Sequence, residues 1–166
     1  LESNTKLGKL NPKVVKALFK VVIEDTEYEI SCIFDYLKYI NEQIKRLEII
    51  NSHKDSLFVS IHQNHFSEEK YFGAQVFYGS KNEEQSKNLA EIIQQNLKND
   101  INPDNNRQIK NAYSSLFLFK KAEQPCVLIE CGFLSNKRET ELLSDNDYQT
   151  KLAFCIAKSI FEFNNK

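Results

Sequence analysis

Leu57-Phe58-Val59-Ser60-Ile61-His62 and Cys126-Val127-Leu128-Ile129-Glu130 are the two stretches whose reading decides how this chain folds. Each is a short apolar, β-branched run of the kind that fills a central strand, and each ends on an ionisable residue. In an open parallel sheet the carboxyl ends of the strands form the ligand-binding edge, so both side chains are expected along one rim. A histidine and a glutamate meeting there point to a metal-assisted hydrolase.

Outward from these runs, strands and helices alternate. Asn11-Pro12, followed by Val14, Val15, Leu18 and Phe19, fits a capped helix start, and Val21-Val22-Ile23 fits a strand. Ile33, Leu37, Ile40, Ile44, Leu47 and Ile50 recur at three- and four-residue steps, which predicts a long amphipathic helix from Ser31 to about Asn51 with its apolar stripe on the sheet. His53 then stands where a helix C-terminus wants a dipole partner. Gly73 to Tyr78 alternates enough for a more exposed strand, and Glu83 to Leu97 is in helical register. Asn99 to Arg107 reads as a loop by its turn chemistry, Ala112 to Lys121 fits helix or strand, and helices are expected near 138–143 and 147–163. Such alternation is the signature of an α/β fold.

The 166 residues, 41% hydrophobic, suit one domain with a proper core. A net charge of −1 with both signs well mixed offers no basic face for nucleic acid and no polybasic run for a lipid surface. Cys32, Cys126, Cys131 and Cys155 have no CxxC spacing and read as free, buried thiols, with one disulfide left open. No run is long and apolar enough for a membrane span. The chain opens on Leu1 and contains no methionine, so it is expected to be part of a longer product.

Five segments in order carry a resemblance. Ser60-Ile61-His62-Gln63-Asn64, Gly73 to Tyr78, Arg107 with Lys110, Glu130-Cys131-Gly132-Phe133-Leu134-Ser135-Asn136, and Tyr148-Gln149 before a last helix resemble the zinc-dependent N-acetylmuramoyl-L-alanine amidases of bacterial cell-wall turnover, nearest to the compact clostridial and bacilli forms. The resemblance implies a single α/β domain over 1–166, with a mixed, mostly parallel central sheet and helices on both faces. It implies Zn²⁺ held by two histidines and a glutamate, a second glutamate as general base, and cleavage of the amide between the lactyl group of muramic acid and L-alanine. Residue by residue, His62 matches a histidine ligand and Glu130 the catalytic glutamate, while Leu1-Glu2-Ser3-Asn4 resembles the segment in which Glu2 would be the glutamate ligand. Asn64, Gln75, Arg107 and Lys110 are the expected substrate-binding residues.

The family's first histidine, in a Gly-rich segment after the first strand, has no counterpart in this sequence, so the resemblance is to a chain truncated at that end. Peptidoglycan is the implied partner, with an activating lipoprotein as in cortex-type relatives, and the implied place is extracytoplasmic, in the cell wall or spore cortex. The competing reading is an inactive, metal-free wall-binding remnant of the same fold; a different zinc hydrolase, such as a carboxypeptidase, is a third. Taken singly, His62 also fits a core histidine, Glu130 a buried ion-pair partner of Arg107 or Lys110, and His65 a solvent-facing loop residue. Asn64 and Gln75 equally fit satisfaction of local backbone groups.

Overall fold

The computed structural model describes residues 27–112 and 116–165. The chain parts into two compact units, Leu1–Lys45 and Arg46–Lys166, and the sheet belongs wholly to the second. The readings at Glu2, at the helix from Asn11 and at the Val21 strand lie outside the described residues. Helix α1 runs over Glu27–Ser52, four residues earlier than the apolar spacing suggested. It closes as expected: His53 Nδ1 lies 2.8 Å from the carbonyl oxygen of Ile49, on one of the orphan acceptors at the helix end.

Strands β1 (Phe58–Asn64), β2 (Gln75–Tyr78), β3 (Lys110–Asn111) and β4 (Cys126–Phe133) form one sheet in the order β1-β4-β2-β3. β1 pairs with β4 and β2 with β3 in parallel, while β2 and β4 run antiparallel, which makes the sheet mixed and mostly parallel. Helix α2 (Glu83–Asn96) continues through a π-helical turn, Leu97–Ile101, whose last three residues turn chemistry had suggested as loop. The ambiguous stretch after Ala112 supplies the short helix α3 (Phe117–Lys121), and α4 (Lys137–Leu143) and α5 (Asn146–Asn164) complete the chain. Asn136 and Asp145 cap α4 and α5 by accepting the amides of Glu139 and Tyr148.

Alternate residues of the strands divide the core in two. Val127, Ile129 and Cys131 of β4 face α2 and α5 with Val76, Leu89, Ile93, Leu152 and Ile156. Cys126 and Leu128 face the other way with Phe77 and Phe119, against which Leu47 and Ile50 of α1 pack. Helices therefore cover both faces. Cys126, Cys131 and Cys155 are free and buried, and burial pushes each thiol up to about 11, so they serve as small hydrophobes.

β2 differs from its sequence reading, for it is buried rather than exposed. Its pairing with β3 covers only Phe77 and Tyr78, and side chains complete the rest. Gln94 accepts from the Val76 amide and donates to the Ala74 carbonyl, which also accepts from Asn105 Nδ2. Polar residues that looked like surface thus substitute for a missing strand. Among the described residues no helix is long and apolar enough to cross a membrane.

Candidate active site

His62 and Glu130 are cross-strand partners in the parallel β1/β4 ladder, and Gln75 stands opposite Glu130 from the other side. Since Phe58 and Leu128 share one core cluster with Phe77, the even positions of β1 and β4 and the odd positions of β2 lie on a common face. His62, Glu130 and Gln75 therefore form one row across three strands, in the carboxyl-terminal half of β1 and β4. The two opening runs thus bring His62 and Glu130 onto one sheet face, short of the strand ends.

The row's two ionisable groups sit in different surroundings. His62 is exposed, with its Nε2 2.8 Å from Ser60 Oγ, a contact two residues back on the same strand face that orients the ring. Glu130 is half-buried, and among the described residues its Oε2 is shut from solvent without a hydrogen-bond partner. Burial pushes the Glu130 carboxyl above its ordinary range, and positive charge on His62 opposes that rise. A carboxylate so placed is a stronger base than one in water, which is what proton abstraction needs.

Glu130 is not the ion-pair partner of Arg107. The Arg107 guanidinium lies 4.5 Å over the Phe133 ring, donates from Nε to the Phe72 carbonyl (2.6 Å) and from Nη1 to Gln75 Oε1 (3.2 Å). Desolvation lowers its pKa while the charges of Glu139 and Tyr71 raise it. Gln75 is 4% exposed, and its Nε2 donates to the Gln108 carbonyl, so both ends of its amide serve to fix Arg107 beside the row. Lys110 pairs with Phe77, one step along from that row, and is exposed. Asn64 closes β1, and its carbonyl accepts from the Leu134 amide. His65 is exposed in the loop beyond β1, as expected.

Two residues at the rim escaped the sequence reading. Ser60 carried a signal in its i, i+2 spacing from His62. Glu139 carried another, as the acidic residue three places after the capping Asn136. It is 7% exposed and joins two strand ends: Oε1 accepts from the Gly73 amide (2.8 Å) and Oε2 from the Phe133 amide (2.7 Å).

Among the described residues no three His, Cys, Asp or Glu side chains converge as a metal site. Of the ligands that the resemblance implies, the described residues hold His62, whose exposed imidazole suits Zn²⁺ in kind and stands beside the Glu130 carboxylate on one face.

The chain is an α/β protein with this row on one face of a mixed sheet. A family model described as N-acetylmuramoyl-L-alanine amidase matches residues 8–162, and the chain belongs to that family. It is 36% identical over 119 residues to the germination-specific N-acetylmuramoyl-L-alanine amidase of Bacillus subtilis (strain 168), covering 72% of this chain but 49% of that protein. The CwlD amidase from Clostridioides difficile, solved in complex with the GerS lipoprotein, superposes with a TM-score of 0.73 at 42% identity, over 78% of this chain and 65% of that one. The amidase AmiC2 of Nostoc punctiforme gives 0.66 at 25% identity, over 74% and 65%. The chain thus spans about half the length of the Bacillus relative.

Proposed function

We propose that this chain belongs to a zinc-dependent N-acetylmuramoyl-L-alanine amidase that hydrolyses the amide joining the muramic acid lactyl group to L-alanine in peptidoglycan. The observation that carries the proposal is the pairing of His62 with Glu130 on one sheet face, with a buried carboxylate oxygen that no group among the described residues satisfies. Family membership and the germination-type relative support the substrate.

In this reading His62 would supply one imidazole ligand; Glu2, the carboxylate ligand that the resemblance implies, lies outside the described residues. A bound zinc would contribute polarisation of the scissile carbonyl and acidification of water to a pKa of about 7. Glu130 accepts the proton of the attacking water as the new C–O bond forms, then delivers it to the L-alanine nitrogen as the C–N bond breaks. Its raised pKa suits both halves of that task. Arg107, held by Gln75 and stacked on Phe133, presents a fixed cation to the carboxylates of the stem peptide; Lys110 and Asn64 flank it. Work on peptidoglycan places the protein outside the cytoplasm, at the cell wall or spore cortex, and a lipoprotein partner like that of the Clostridioides relative fits there.

Digestion of purified muropeptides tests the reading. New L-alanine amino termini together with intact stem peptides are expected with zinc present. Cleavage within the stem would instead indicate a peptidase, and binding without any cleavage a wall-binding remnant.

A further inference from the structure

β1 and β4 stay in register through His62↔Glu130 and then slip, so that Asn64 stands opposite Phe133. Two steps on β1 match three on β4, a bulge placed immediately beyond the proposed base. A bulge leaves a backbone amide without its ladder partner, and here a buried side chain takes it up: Glu139 Oε2 accepts from Phe133. The other oxygen of the same carboxylate accepts from Gly73, which leads into β2 and so to Gln75. Gly73 has φ +91, and a Cβ there would stand 2.6 Å from Asn105 Oδ1, so its backbone is committed to this approach. Gly132, inside the slip, leaves the room the carboxylate occupies, since a Cβ would lie 3.1 Å from Glu139 Oε2.

We propose that Glu139 is a positioning residue for the reaction: by clamping the amides of Phe133 and Gly73 it locks the bulge, which keeps Glu130 on the face of His62 and opposite Gln75. The slip begins one residue beyond Glu130, so the residue that pins it holds still the backbone from which the base projects. Both acceptor atoms are required. A carboxylate has two, whereas glutamine would turn an NH2 toward one of the two donors. The kinetic part of this inference rests on the amidase reading; the structural part does not.

The test compares the wild-type chain with Glu139→Gln and Gly132→Ala by backbone NMR and by steady-state cleavage of a soluble muropeptide. In Glu139→Gln the amide protons of Phe133 and Gly73 should move upfield and the cross-strand NOEs from His62 to Glu130 weaken, with Val76 and Val127 little changed. The kcat should fall about tenfold or more with KM within about twofold, because misplacing a reacting group costs turnover rather than binding. Gly132→Ala, which displaces the carboxylate without removing it, should move every readout the same way by less, and it carries the test if Glu139→Gln does not fold. Retained NOEs with kcat within about twofold of wild type would overturn the proposal. If the wild-type chain, whose sequence has no counterpart of the family's first histidine, releases no L-alanine termini, the NOEs alone decide the clamp.

Discussion

β1 and β4 are paired residue for residue, yet they live in different worlds. β4 lies between two strands and under helices on both faces, so that seven of its eight residues are buried and Glu130 alone is partly open. β1 has β4 on one side, and from Ile61 to Gln63 it is exposed. The proposed base is therefore held by the core, while the proposed ligand is held, among the described residues, by little more than Ser60. A group whose pKa must be raised needs desolvation, and one that must meet a metal needs access.

The contrast can be broken most sharply at the row itself. Glu130→Gln should lower kcat on muropeptides by about 10²–10⁴-fold, the usual worth of a general base. It should also stabilise the fold at neutral pH. A carboxyl whose folded pKa is raised contributes stability only below its unfolded value and loses it as pH rises through the folded one. The melting temperatures of Glu130→Gln and wild type in chelator should thus coincide in acid and separate toward pH 7, with the variant higher. Coincidence at every pH would mean that Glu130 is as well solvated as a surface glutamate.

Next in size is the core beneath. Ile129, fully buried beside Glu130, should cost about 2–5 kcal/mol on truncation to alanine in a denaturant titration. Its register partner Ile61, 59% exposed, should cost no more than about 0.5 kcal/mol by the same measurement. Equal losses at the two positions would show that β1 is covered as fully as β4.

How much of this was legible follows from the same contrast. Continuous β-branched runs announced β1 and β4, and their ionisable ends announced His62 and Glu130, because burial on both faces leaves an apolar signature that charge interrupts. The runs did not show that both strands continue past those residues. A bulge depends on where one stray amide finds an acceptor, and Glu139, which takes it, lies on another element. β2 misled for a related reason. Gln75, Gln94 and Asn105 look like surface residues in isolation, and only their mutual placement turns them into buried partners of backbone and of Arg107. Arg107 and Lys110 were found through resemblance, since a cation in an Asn-rich loop carries no pattern of its own.

The claim that matters most is that His62 and Glu130 act as one unit across the β1/β4 ladder. Rates of L-alanine terminus release by His62→Ala, Glu130→Gln and the double variant measure this directly, with the folded state of each checked by melting. If the two groups serve a single step, the double variant should be no slower than the worse single one, within about threefold. Losses that simply multiply would contradict the account, placing the two side chains in separate jobs.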